Sequence, residues 1–184
     1  WVTWFIRDMG LVQPLNVIGF SMGGWVAAEI ATVNSTIFKK MVLVSPGGLK
    51  PSKGETWDYF VNSGKEAFEQ AFHDPDKSPE YALYYGVDWT PEEADEVEIN
   101  REMAARILWK PYMKSHTLEH LLGGVSTETL LVWGKEDRII PVDTCKQFQN
   151  SIKGAQAKII DNCGHMPEME QPSAFTDAVL GFLR

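Results

Sequence analysis

The chain is poor in cysteine, in positive charge and in long apolar runs, and each shortage closes off a class of protein. Two cysteines in 184 residues, Cys145 and Cys163, form neither a C-x-x-C pair nor a spaced thiol framework. A disulfide scaffold is therefore excluded, and free thiols suited to a reducing compartment such as the cytoplasm are expected. Cys163 stands two residues before His165, but neighbours on a strand-end loop rarely face one another, which makes it a poor candidate nucleophile. Lysine and arginine total 17 against 25 acidic residues, a net charge of -8 without a basic run. That balance argues against nucleic acid and acidic membranes as partners. No apolar stretch approaches the ~18 residues of a membrane span, and there is no internal repeat or low-complexity tract. What remains is 44% hydrophobic with seven tryptophans, a composition and length able to bury a substantial core.

The feature richest in chemistry is Gly19-Phe20-Ser21-Met22-Gly23. By composition alone, G-x-S-x-G arises by chance in a chain of this length roughly 6% of the time, so its surroundings carry the argument. The apolar run Pro14 to Phe20 leads into it, and a small-residue helix, Gly23 to Asn34, follows. Strand, sharp turn and helix force the serine into a strained conformation and push its hydroxyl above the sheet, with Gly19 and Gly23 expected to let the two elements approach. Two further strand ends carry chemistry. Thr129 to Trp133 runs into Gly134-Lys-Glu-Asp137-Arg-Ile-Ile-Pro141, and Ala157 to Ile160 runs into Asp161-Asn-Cys-Gly-His165-Met-Pro. Parallel sheets place their functional groups at the carboxyl ends of their strands, so Ser21, Asp137 and His165 are expected to converge. Glu136 competes for the acid role, and the structural uses open to Asp137 are to stabilise its own turn or to pair with Arg138.

These three segments, Gly19-Phe-Ser-Met-Gly-Gly24, Gly134 to Pro141 and Cys163-Gly-His-Met-Pro167, resemble the motifs of the α/β-hydrolase family and follow its order of serine, acid, histidine. The resemblance implies an α/β fold: the carboxyl-terminal half of a mostly parallel sheet with a helical cap insertion. It divides the chain into hydrolase core at 1–46, cap at 47–124 and core at 125–184, with strands at Leu15 to Gly19, Met41 to Ser45, Thr129 to Trp133 and Lys158 to Ile160. The amino-terminal core strands of the family would precede Trp1, which would leave one apolar strand edge bare. The resemblance also implies roles. His165 would deprotonate Ser21, Asp137 would orient the imidazole, and the Met22 backbone N–H would supply one oxyanion donor, the second belonging to the part before Trp1. An acyl-enzyme on a small-molecule ester or related acyl substrate is expected, with no metal or organic cofactor required; oligomeric state is open. Serine at the turn argues against the dehalogenase and epoxide hydrolase branches. Val44-Ser-Pro-Gly-Gly-Leu49 resembles the meta-cleavage product hydrolases, which makes carbon-carbon hydrolysis the alternative; a catalytically silent ligand-binding relative is another.

Between the second and third strands the chain is too long and too aromatic for a plain connection. Thr90-Pro-Glu-Glu93 reads as an N-cap, a first-turn proline and a capping carboxylate, which predicts a helix over about 91 to 109. Pro111 is expected to start another, closed by Gly123-Gly124, and Trp57, Tyr59, Phe60, Phe68 and Phe72 to mark an earlier one. These aromatics either line an apolar pocket over Ser21 or pack the insertion onto the body. His116-Thr-Leu-Glu119-His120 matches H-x-x-E-H, a zinc pattern if both imidazoles share a helix face, and otherwise an exposed helix surface.

Overall fold

Strands β1 (Leu15–Phe20), β2 (Phe38–Val44), β3 (Glu128–Gly134) and β4 (Gln156–Ile160) lie side by side in that order, all parallel, in a computed structural model that describes all 184 residues. The helices are α1 (Val2–Asp8), α2 (Met22–Val33), α3 (Gly64–Ala71), α4 (Pro79–Tyr84), α5 (Pro91–Leu108), α6 (Leu118–Leu121), α7 (Asp143–Ser151), α8 (Pro167–Glu170) and α9 (Pro172–Leu183). Strands covered on both faces must be apolar at successive positions, and the central pair obeys this. Their side chains alternate between two cores, as a period of two requires. Met41, Leu43, Leu131 and Trp133 pack with Ala27, Ala28 and Ala31 of α2 and with Cys145 and Phe148 of α7. Val42, Val44, Leu130 and Val132 pack with Ile160, Cys163 and Val179 on the α9 side. No helix is long and apolar enough to cross a membrane.

β1 is paired on one side only. Ile18 and Phe20 of that strand are exposed, as are Val2, Trp4 and Phe5 of α1 and Trp1 before it.

The turn from β1 into α2 depends on backbone contact. A Cβ on Gly19 would lie 2.6 Å from the Gly23 carbonyl oxygen and 2.7 Å from the Gly24 Cα; one on Gly24 would lie 2.9 Å from the Gly19 oxygen. Gly23 plays a different part from the one expected, because a Cβ there would meet nothing within 4 Å. The close approach belongs to Gly19 and Gly24.

The segment between β2 and β3 is helical, but two of its elements differ from expectation. α5 begins as read: Thr90 Oγ1 accepts the Glu93 N–H at 3.3 Å while the Glu93 carboxylate accepts the Thr90 N–H at 2.8 Å. Pro111 starts no helix; it follows a cis bond, and the helix closed near Gly124 begins only at Leu118. Of the aromatic series, Phe68 alone is helical, because Ser63 caps α3 through a reciprocal bond with Glu66 and so sets its start at Gly64. Trp57, Tyr59 and Phe60 lie before that cap. Arg101 of α5 is buried and ties that preceding stretch down, donating to the Tyr59 carbonyl at 3.0 Å and to the Asn62 carbonyl.

The Gly19→Ala variant should lose stability by ~1–3 kcal/mol, the usual range for forcing volume into a packed site, because backbone rather than a movable side chain occupies the space. Gly23→Ala should hold or gain ~0.5–1 kcal/mol as a glycine removed from a helix. Urea unfolding midpoints of the two variants check this; equal losses would show that the contact at Gly19 is relieved cheaply.

Candidate active site

Ser21 sits at φ 48°, ψ -114°, a region that a non-glycine residue occupies at a cost of order 1–3 kcal/mol. The surroundings over-determine it. Its N–H donates to the Val44 carbonyl at 2.8 Å, and its carbonyl accepts from Trp25 at 3.1 Å and from Gly47 at 3.3 Å. The Met22 N–H, first in the helix, has no preceding turn to accept it.

Asp137 divides its carboxylate between two tasks. Oδ1 accepts the Ile139 and Ile140 N–H groups, each at 2.9 Å, which locks the turn after β3; Oδ2 lies 2.8 Å from His165 Nδ1. The side chain of Asp137 is wholly buried and that of His165 is 8% exposed. A carboxylate at Nδ1 selects the tautomer protonated there and leaves Nε2, across the ring, as the free base. The turn-stabilising use is thus realised beside the histidine contact, whereas Glu136 and Arg138 are engaged elsewhere. Glu136 accepts the Cys163 N–H at 3.0 Å, and Arg138 donates to the Phe72 and His73 carbonyls. Cys163 belongs to the core on the α9 side, and burial pushes its thiol well above the ordinary range.

Ser21 and His165 line one cavity of about 270 Å³, closed by Met22, Tyr59, Ala67, Phe68, Ala71, Ala104, Leu108, Met113, Ile139 and Met166. The Ser21 hydroxyl makes no direct hydrogen bond to the imidazole, whose bonded partner is Asp137; such bonds are commonly loose until substrate binds. Of the aromatics read from the sequence, Tyr59 and Phe68 reach this cavity. Phe72 is buried against Tyr81 and Tyr85, and Phe60 packs with Tyr59, Trp109 and Tyr112. Ala67, Ala104 and Leu108 carry no sequence signal beyond helical periodicity, and Met113, outside any helix, carries none, so their place in the wall is visible only in three dimensions.

The imidazole lies among carboxylates. Burial opposes its charge more strongly than any single neighbour favours it, yet Asp137, by charge and by hydrogen bond, and then Glu168 and Glu170 together hold its pKa above the usual 6.5. Burial pushes the pKa of Glu168 and Glu170 up in turn, against which the N–H groups of His73, Gly164 and Asp74 act at Glu170. Nothing in the sequence reading singled out these two glutamates. The zinc pattern loses its premise: His116 lies before α6 and is exposed, as are Glu119 and His120, so the two imidazoles do not share a helix face. No third side chain completes a donor set with them.

A family model described as the alpha/beta hydrolase fold matches residues 1–172. Monoacylglycerol lipase abhd6-A of Xenopus laevis is 26% identical over 97% of this chain and 58% of its own length. The 2-hydroxy-6-oxononadienedioate/2-hydroxy-6-oxononatrienedioate hydrolase of Cupriavidus pinatubonensis is 24% identical over 94% of this chain and 63% of its own. The chain thus spans 58–63% of the length of these curated relatives. Among solved structures, a membrane phospholipase A described as a bacterial virulence factor superposes with TM-score 0.80 at 24% identity, over 99% of this chain and 60% of that one. The serine hydrolase CarC, involved in carbazole degradation, gives 0.75 at 24% identity, over 99% of this chain and 68% of that one.

Because the pKa of His165 is raised on folding, its protonation stabilises the folded state. The contribution is complete below the unfolded value near 6.5 and is lost as pH rises through the higher folded value. The gap in unfolding free energy between wild type and His165→Ala should therefore be wider near pH 6 than near pH 9 in urea titrations. An equal gap at both would mean that the carboxylates do not favour a charged ring.

Proposed function

We propose, because the chain belongs to the α/β-hydrolase family, that Ser21, His165 and Asp137 work together in a serine hydrolase acting on a carboxylic ester or related acyl bond. The observation that carries this reading is the buried Asp137–His165 bond set against a strained serine on the wall of the same cavity. His165 Nε2 takes the Ser21 proton as Oγ attacks the carbonyl carbon, and the Met22 N–H faces the oxyanion that develops. The imidazolium returns that proton to the leaving alcohol, which departs and leaves an acyl-serine. Water, deprotonated by the same nitrogen, then attacks the acyl carbon and releases the acid and the free serine. Asp137 holds the ring and stabilises its charged form throughout. No step calls on a metal or an organic cofactor. Residues 47–124 serve in this reading as a cap whose helices α3 and α5 close the acyl pocket.

Carbon-carbon hydrolysis of a meta-cleavage product is the second reading. It is supported by the phrase Val44 to Leu49 and by the likeness to hydrolases named for such dienedioates. The cavity weighs against it, since apart from His165 none of its lining side chains is charged and none offers a cation to a substrate carboxylate. A neutral acyl chain fits such walls better.

With the protein at its natural length, hydrolysis of a p-nitrophenyl ester should vanish in Ser21→Ala and fall ~10⁴-fold in Asp137→Asn, the scale of losing the imidazole's orienting carboxylate. Equal turnover in wild type and Ser21→Ala would refute the assignment. The rise of kcat/KM with pH should centre above 6.5 and move down in Asp137→Asn. A vinylogous diketo acid turned over faster than the ester would favour the second reading.

A further inference from the structure

The loop carrying His165 is fastened to the segment between β2 and β3. The His165 N–H donates to the Ala71 carbonyl at 2.6 Å, at the end of α3. Glu170, on α8, spans the same junction: Oε1 accepts the Gly164 N–H at 2.7 Å and Oε2 accepts the His73 N–H at 2.6 Å. The two backbones are too close for a side chain, since a Cβ on Gly164 would lie 2.5 Å from the Ala71 oxygen and 2.7 Å from the His73 nitrogen. Arg138, next to Asp137, closes the junction from the acid loop by donating to the Phe72 and His73 carbonyls. α3 is also a cavity wall, through Ala67, Phe68 and Ala71.

We propose that Glu170 is a positioning residue that locks Gly164 and His165 onto the end of α3, so that the helix walling the acyl pocket also sets where the imidazole stands. The inference rests on the serine-hydrolase reading and adds to it a residue that touches neither substrate nor reacting atoms. Its chemistry requires a carboxylate of this length. Two N–H donors, one from each segment, each need an acceptor, and an ionised carboxylate offers acceptors at both oxygens. Glutamine would turn an NH₂ toward one of them, and aspartate is a methylene too short to span both. A loosened loop displaces Nε2 from the Ser21 hydroxyl, and a misplacement of ~1 Å can cost ~10²-fold in rate.

The test compares Glu170→Gln and Glu170→Asp with wild type at natural length, after counting working sites by complete fluorophosphonate labelling, so that unfolded molecules drop out. Both variants should turn over a p-nitrophenyl ester ~10- to 100-fold more slowly per labelled site, with KM within about twofold, and their Gly164 and His73 amides should exchange faster while those of α2 do not. Wild-type turnover per labelled site in both variants would overturn the proposal. So would an aspartate variant at the wild-type rate beside an impaired glutamine variant, because charge rather than position would then be the cause. Should wild-type Ser21 take no label, the hydrolase reading fails instead, and the exchange comparison alone decides whether Glu170 holds the loop.

Discussion

The backbone contact between Gly19 and Gly24 is the constraint on which the rest of this structure depends. It lets β1 stop and α2 start within a single residue, and that residue is Ser21, left at positive φ on the wall of the cavity. A side chain on Gly19 would part the strand from the helix and relax the turn. The strain is held by bonds from the neighbouring strand and turn, at Val44 and Gly47, so β2 must be in register before the serine is. Packing of Ala27, Ala28 and Ala31 against Met41 and Leu43 secures that register. A core of small and branched residues thereby fixes the direction of one hydroxyl.

The cavity is assembled from the sheet-bearing body and from the stretch between β2 and β3. The body contributes Ser21, Met22, Ile139, His165 and Met166, and the stretch between β2 and β3 contributes the rest of the wall, Tyr59 through Met113. That stretch is joined to the body at the functional loops themselves, through the Ala71 carbonyl, Glu170 and Arg138. In the proposed reading a wall helix cannot shift without pulling on the histidine loop, which would couple the shape of the pocket to the place of the imidazole.

Much of this was legible in the sequence. The four strands were readable because each is an apolar run ending in a turn residue, and all four stand within a few residues of expectation. That Asp137 meets His165 and that Ser21 shares a cavity with His165 was readable because each follows such a run, and a parallel sheet brings strand ends together. α5 was readable because Thr90, Pro91 and Glu93 carry their capping chemistry locally. The failures share one cause. Pro111 and the aromatics from Trp57 to Phe72 were read as helix markers, but what they pack against lies elsewhere in the chain, as Phe72 does with Tyr81 and Tyr85. Gly23 was credited with a need for glycine that belongs to Gly24, because spacing along the chain does not say which Cα turns toward the strand. Glu170 was missed for the same reason: its partners, Gly164 and His73, meet only after folding.

As the general base of the proposed mechanism, His165 has to meet two opposing demands. An imidazole in an apolar cavity loses hydration and with it the tendency to take a proton, which would make it too weak to activate a serine. Asp137 restores that tendency at hydrogen-bond distance, and Glu168 and Glu170 add to it from further away. Carried too far, the same field would keep the ring protonated near neutrality and idle. Burial limits the excess, because desolvation of the ring opposes its charge more than any single neighbour favours it. Basicity at His165 is thus set mainly by the one carboxylate that also orients the ring, which keeps proton affinity and geometry under the control of a single contact.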